Sequence, residues 1–88
     1  MTLSIHLSED FKRSFKKLHP QEKRKFYDKL TLFVENQRHP SLRTKKLKGH
    51  KILFESSISM SIRIVWRYES NKMILLLDIG HHDVLNRQ

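Results

Sequence analysis

Hydrophobic and polar residues alternate over the first residues of the chain. Leu3, Ile5 and Leu7 are each followed by a polar side chain, and this two-residue period is typical of a half-buried strand. Ser8 comes next and is followed by two acidic residues. A serine with acids behind it is the usual beginning of a helix, because its hydroxyl caps the first turn and the helix dipole favours negative charge there.

Two helices are predicted between this strand and residue 37. The apolar positions change to the three- and four-residue spacing of one helix face. Pro20 ends the first helix or opens the second as its first residue, and the second is predicted over residues 21–37. The apolar residues at helical spacing are Phe11, Phe15, Leu18, Phe26, Leu30 and Phe33.

The second half of the chain has the periodicity of strands. Residues 52–55 form a short apolar run, and residues 73–79 form a longer one that favours a buried central strand. Between them, Arg63 and Arg67 lie on one side of a predicted strand over residues 58–68. The apolar side chains of the other side are Ile58, Met60, Ile62, Ile64, Trp66 and Tyr68.

This order predicts a single α+β domain over residues 1–88. We expect an N-terminal strand, a two-helix hairpin and then a three- to four-stranded, mainly antiparallel sheet. No stretch approaches the ~20 apolar residues of a membrane span, and the first residues lack the pattern of a signal peptide. The absence of cysteine excludes disulfides and thiolate metal ligands. A cytoplasmic chain without membrane contact is expected.

The charge of the chain indicates a polyanionic partner. Lysine and arginine number 18 against 9 acidic residues, for a net charge of +9. Six of the basic residues and no acid fall within residues 38–51. Nucleic acid is the commonest partner of such a surface, an acidic protein is the second candidate, and a solvated surface that aids solubility is the third.

Three short motifs resemble those of a known toxin superfamily. Residues 46–49 read K-L-K-G, residues 61–66 read S-I-R-I-V-W, and residues 79–85 read I-G-H-H-D-V-L. In this order, and with the predicted elements, they resemble the RelE/ParE superfamily of type II toxin–antitoxin systems. The resemblance departs in residues 84–88, which lack the aromatic residue that many RNA-cutting relatives carry behind the histidine.

The resemblance implies a toxin neutralised by an acidic or partly disordered antitoxin, in a toxin–antitoxin hetero-oligomer. RelE-like members are mRNA interferases, endoribonucleases that cut mRNA on the ribosome, arrest growth and act in stress responses. That function is expected here. The alternatives are a ParE-like inhibitor of DNA gyrase without nuclease activity and a catalytically inactive relative.

Metal-free RNA cleavage needs an acid, a base and cations around the phosphate. Histidine suits proton transfer near neutral pH in general, and His82 matches the histidine that RNA-cleaving relatives carry near the C-terminus. The resemblance therefore implies that His82 is the general acid or base and that Arg63 binds the scissile phosphate. Lys46 and Lys48 are expected to neutralise phosphate charge. The remaining candidates are Glu55, His50 and Asp83 as further catalytic groups, and Arg43, Lys45, Arg67 and His81 as RNA-binding groups. Neither a metal site nor a cofactor is expected, since the adjacent His81 and His82 would face opposite ways in a strand.

Overall fold

The structure of the chain, a computed structural model, describes residues 3–88. The two predicted helices and the four predicted strands follow in the predicted order. A fifth strand of two residues, Lys45–Lys46, was not predicted, and two short 3-10 helices, Pro40–Leu42 and His82–Arg87, complete the described chain. No helix within residues 3–88 has the length and apolar character needed to span a membrane. The main elements are β1 (Ser4–Leu7), α1 (Glu9–Lys16), α2 (Pro20–Glu35), β2 (Lys45–Lys46), β3 (Phe54–Ser57), β4 (Arg63–Ser70) and β5 (Met73–Gly80).

All five strands belong to one sheet in the order β1-β5-β4-β3-β2. Neighbouring strands from β5 to β2 are antiparallel, whereas β1 lies parallel to β5, with Ile5 opposite Ile74. The predicted α+β class and element order are confirmed, and the last long strand is interior, as its continuous apolar run indicated. The sheet is mixed because the last strand, β5, lies beside the first strand, β1, and runs parallel to it.

The predicted helix starts are confirmed by their caps. The Ser8 hydroxyl oxygen accepts a hydrogen bond from the Phe11 backbone N at 3.0 Å and donates to the Leu77 carbonyl at 2.8 Å, so the cap also ties α1 to β5. Pro20 is the first residue of α2. That helix ends at Glu35, two residues earlier than predicted, because Asn36 adopts an extended backbone with φ of −156°. The Gln37 side chain then donates to the Phe33 carbonyl at 2.6 Å and satisfies that acceptor of the last turn.

An aromatic core fills the space between the helices and the sheet. Phe33 and Trp66 are fully buried with ring centroids 5.0 Å apart, and Phe54 stacks on Trp66 at 4.8 Å. The indole Nε1 donates to the Ser56 hydroxyl oxygen at 2.9 Å, which satisfies the polar atom of this buried ring. Burial of each large apolar side chain stabilises the fold by about 1.5–3 kcal/mol.

The prediction of a strand over residues 58–68 is wrong at its beginning. Residues 58–62 form the loop between β3 and β4, closed by a hydrogen bond from the Ile58 N to the Ile62 carbonyl at 2.9 Å. Ile58 and Ile62 are buried, but Met60 is 96% exposed. A two-residue period does not distinguish a strand from a tight loop whose two ends both point inwards.

Candidate active site

The sheet face away from the helices carries a second, smaller apolar cluster. Leu47, Val65 and Val84 are its buried members, and Leu53 and Leu77 pack around them with partial exposure. Val84 belongs to the C-terminal 3-10 helix, which the sequence analysis did not predict. This short helix therefore lies on the sheet face that α1 and α2 leave uncovered, which we call the open face.

Several predicted site residues share the open face with Val65. Glu55 lies directly opposite Val65, and Lys45 lies directly opposite Glu55. Arg63 and Arg67 are two residues before and after Val65 on β4, and alternate residues of a strand point to the same side. The Lys45 Nζ is 4.0 Å from the Glu55 Oε1, and the Glu55 side chain is only 11% exposed. The pairing thus assembles a charged row from three strands.

The Arg63 guanidinium is held in place by the loop that precedes it. Its Nη1 donates to the carbonyl oxygens of Ser59 at 2.7 Å and Met60 at 3.1 Å. Arg63 also lies opposite Gly80, the last residue of β5. These contacts fix a cation at the end of the sheet where the C-terminal helix begins.

His82 is the first residue of that C-terminal helix and is exposed. It follows Gly80 by two residues, and its helix is anchored on the open face through Val84. The segment that carries His82 therefore leaves the sheet beside Arg63, the first residue of β4.

The other two candidates of this terminal segment lie elsewhere. The His81 Nε2 is 3.2 Å from the Glu22 Oε2, and Glu22 also accepts from the His19 backbone N at 2.8 Å. Asp83 is exposed and lines the same groove beside the helix hairpin. The structure therefore places His81 and Asp83 next to the start of α2, away from the row of charges that includes Glu55.

The register places the neighbouring Lys45 and Lys46 on opposite sides of the sheet. Lys46 lies opposite Phe54, whose ring is in the helix-side core, so Lys46 belongs to the helix side of the sheet. Lys48 and His50 lie in a turn anchored by the buried Leu47, with the His50 N donating to the Leu47 carbonyl at 3.0 Å. The geometry thus brings Lys45, rather than Lys46, into contact with Glu55.

The two remaining RNA-binding candidates have different surroundings. Arg67 is paired with Glu69, with an Nη2–Oε1 distance of 2.6 Å. Arg43 is exposed and adopts a left-handed backbone conformation, with φ of +49°. It lines a cleft that also includes Arg63.

Asp78 is a buried acid of the open face that the sequence analysis missed. It lies opposite Val65 on β5, as Glu55 does on β3, and its Oδ1 accepts from the Ile79 backbone N at 2.9 Å. Its signal in the sequence is that it is the one charged residue in the apolar run of residues 73–79. Within residues 3–88, no group of three or more His, Asp or Glu side chains is arranged to hold a metal ion.

Comparison with known proteins identifies the fold. No protein-family model and no curated protein sequence matches the chain. Among solved structures, the E. coli DinJ–YafQ toxin–antitoxin complex matches with a TM-score of 0.78 at 16% identity, covering 97% of this chain and 98% of that chain. YafQ from E. coli BL21(DE3) matches at 0.76 and 15%, covering 96% and 98%. The RelE–RelB complex of Pyrococcus horikoshii matches at 0.73 and 15%, covering 92% and 96%. The chain therefore has the fold of these RelE- and YafQ-type toxins.

Proposed function

We propose that the chain is the toxin of a type II toxin–antitoxin pair and that it cleaves mRNA on the ribosome. The observation that carries this proposal is the pairing of Arg63 with Gly80, two residues before His82, at one end of the open face. An acid–base group and a phosphate-binding group are the two parts that such a reaction requires first.

The proposed reaction uses the RNA's own 2′-hydroxyl as the nucleophile. Its oxygen forms a bond to phosphorus while the bond from phosphorus to the 5′-oxygen breaks, giving a 2′,3′-cyclic phosphate and a 5′-hydroxyl end. One group removes the 2′ proton and another protonates the leaving 5′-oxygen. His82 takes one of these tasks, and Glu55 is the candidate for the other because it lies on the same face.

Arg63 would bind the non-bridging oxygens of the reacting phosphate. A guanidinium presents several donors in a fixed plane and can bind two oxygens at once. Because the Ser59 and Met60 carbonyls orient this group before RNA arrives, little reorganisation is needed on binding. Lys45 and Lys48 would reduce the remaining negative charge.

The net charge of +9 supports a ribosome-bound substrate. Ribosomal RNA is a dense polyanion, and each phosphate neutralised by a lysine or arginine releases counterions and favours binding. The same charge would also favour the proposed acidic antitoxin.

The helix side of the molecule offers a surface for the antitoxin. An apolar groove of about 520 Å³ lies between α1, α2 and β1, and its lining includes Phe15 and the exposed Leu7 and Tyr27. Lys12 and Lys16 also line it. An amphipathic acidic segment would cover the apolar side chains and face these lysines. The DinJ–YafQ structure is itself a toxin–antitoxin complex.

The test is induction of the wild-type chain and of His82→Ala in cells, with mapping of new mRNA 5′ ends. We expect cuts in phase with codons for the wild type and their loss in the variant. His81→Ala is the matched control, because the neighbouring histidine contacts Glu22 instead, and it should cut as the wild type does.

Three outcomes would contradict the proposal in different ways. Growth arrest without new mRNA ends would favour a binding target such as DNA gyrase. Cuts that survive His82→Ala would remove this histidine from the mechanism. Equal loss in both variants would show that His82 has no special role within the terminal segment.

A further inference from the structure

A basic cleft lies at the end of the sheet, next to the open face. It has a volume of about 490 Å³ and is bounded by α2, the chain after the first 3-10 helix and the β3–β4 loop. Four cationic side chains line it: Lys25, Lys29, Arg43 and Arg63. No carboxylate is among its lining residues in the part of the chain that the structure describes.

Three separate segments bring these charges together. Lys25 and Lys29 are four residues apart on α2 and so lie on the same helix face. Arg43 directly follows a 3-10 turn, and its backbone N donates to the Pro40 carbonyl at 3.2 Å. Arg63 is held by the loop carbonyls described above. No local sequence motif connects the α2 lysines with these arginines.

The cleft cations also lack the ion pairs found on α1. Between residues 3 and 88, no carboxylate lies within 4.0 Å of Lys25, Lys29 or Arg43. On α1, by contrast, Lys12 and Arg13 each pair with an acid of the same helix. Positive charges that face one another without a counter-charge repel, and a bound anion relieves that repulsion.

The other polar groups of the cleft suit phosphate oxygens. Four serines line it, and a hydroxyl is a donor that proteins commonly use on the nucleic-acid backbone. They are Ser41, Ser57, Ser59 and Ser61. A lining of cations and hydroxyls fits a chain of phosphates better than it fits an apolar ligand, whose site is mainly hydrophobic.

We propose that this cleft binds backbone phosphates of the RNA strand that flank the cleaved phosphodiester. Arg63 borders both the cleft and the open face, so a strand whose reacting phosphate lies at Arg63 continues directly into the cleft. The proposal rests on the proposed function, and it gives Lys25, Lys29 and Arg43 the task of positioning the strand. An acidic protein fits less well, because eight of the ten residues that line the cleft are cations or serines and only Ile58 and Met60 are apolar.

The test measures RNA binding apart from cleavage. The probe is a fluorescein-labelled, single-stranded 2′-O-methyl RNA, which has no free 2′-hydroxyl to attack, and binding to the full chain is followed by anisotropy. The test variant is Lys25→Gln/Lys29→Gln, since glutamine preserves helix propensity. The control is Lys17→Gln/Lys72→Gln, which removes the same charge from exposed lysines outside the cleft.

We expect the Lys25→Gln/Lys29→Gln variant, the cleft pair, to bind the probe roughly tenfold more weakly than the wild type in about 0.1 M salt. The control variant, the control pair, should change the affinity less than about twofold. Loss of two phosphate contacts should also lower the slope of log K against log salt by about 1.4, since each contact on a single strand contributes about 0.7. In cells, the cleft pair should cut mRNA at the wild-type positions, but less often.

Three results would overturn the inference. An equal loss in both pairs would show a general charge effect. Unchanged binding in the cleft pair would leave the cleft to another partner, such as an acidic protein. The third result is that inorganic phosphate displaces the RNA from the wild type more than chloride does at equal ionic strength, and that this extra displacement is lost in the Lys25→Gln/Lys29→Gln variant. That would show a site for small anions.

Failure of the proposed function has a different signature. A wild-type chain that cuts no mRNA, but whose RNA binding still depends on Lys25 and Lys29, would refute the nuclease activity and the position of the cleft beside a cleaved phosphodiester, and would leave the RNA-binding site standing.

Discussion

The two faces of the sheet differ in what covers them. On the helix side, thirteen buried residues form one apolar cluster, with Trp66 between Phe33 and Phe54. On the open face, the buried apolar cluster within residues 3–88 consists of Leu47, Val65 and Val84. Most of the apolar area is thus buried on one side. The other side is left free to hold charges, and this separation allows chemistry on a small fold without weakening its core.

The two arginines of the open face are held by polar contacts and are only partly buried, whereas its acids Glu55 and Asp78 are buried. Arg63 binds loop carbonyls, Arg67 pairs with Glu69, and Glu55 lies near Lys45. Contacts of this kind contribute less to the free energy of unfolding than apolar burial does. Substitutions on the two faces should therefore affect stability and activity in opposite proportions.

The largest expected effect is on the helix side. Trp66→Ala removes a fully buried ring and its hydrogen bond to Ser56, and should lower the free energy of unfolding by about 3–5 kcal/mol. Urea denaturation followed by circular dichroism measures this. Met60→Ala, at a 96% exposed position, is the control and should change it by less than about 0.5 kcal/mol. A similar loss in both variants would contradict the assignment of the core.

The next effect tests the open face. Val84→Ala removes two methyl groups from the small cluster and should lower the free energy of unfolding by about 1–2 kcal/mol. Because Val84 anchors the helix that begins at His82, mRNA cleavage should fall more than this stability loss explains. If the loss of cleavage is no larger than the loss of folded protein, packing of Val84 does not position His82.

A smaller, stabilising effect is expected at Arg43. Its φ of +49° is a backbone conformation that costs residues with a Cβ about 1–2 kcal/mol. Glycine avoids that cost, but its greater conformational freedom in the unfolded chain lowers the free energy of unfolding by about 0.5–1 kcal/mol. Arg43→Gly should therefore raise the free energy of unfolding by about 0.5–1 kcal/mol and still weaken RNA binding. Thermal unfolding and the anisotropy assay measure the two quantities on one protein. A destabilised variant would contradict the backbone argument.

The smallest effect is expected at Arg67. Its ion pair with Glu69 is between side chains that are 36% and 33% exposed, so Arg67→Ala should cost only about 0.2–1 kcal/mol. The difference from the wild type should shrink as salt increases, because ions screen exposed pairs. Denaturation at low and high salt measures this, and a salt-independent difference would point to lost packing of the arginine stem.

Local patterns in the sequence predicted most of the fold. Ser8 and Pro20 marked the helix starts, and the alternation of Ile64, Trp66 and Tyr68 marked the inner side of β4. These signals are local, because a cap or a period depends on neighbours a few residues away. The wrong strand start near Met60 and the missed C-terminal helix lie where the chain turns, and there the same period fits more than one conformation.

The candidate site was predicted less completely. The motifs indicated Arg63 and His82, but they did not separate Lys45 from Lys46, and they did not indicate Asp78. The side on which each lysine lies follows from the pairing of β2 with β3, which is a long-range contact. A shift by one residue would reverse both side chains.

The amino-acid sequence by itself determined the α+β order, the apolar sides of the elements and the strongly basic charge. Only the tertiary structure decided that β1 lies parallel to β5, that Arg63 pairs with Gly80 just before His82, and that Lys25 and Lys29 join Arg43 in one cleft. The physical reason is that periodicity and capping act within a few residues. The meeting of distant segments depends instead on which surfaces bury each other best when the chain folds as a whole.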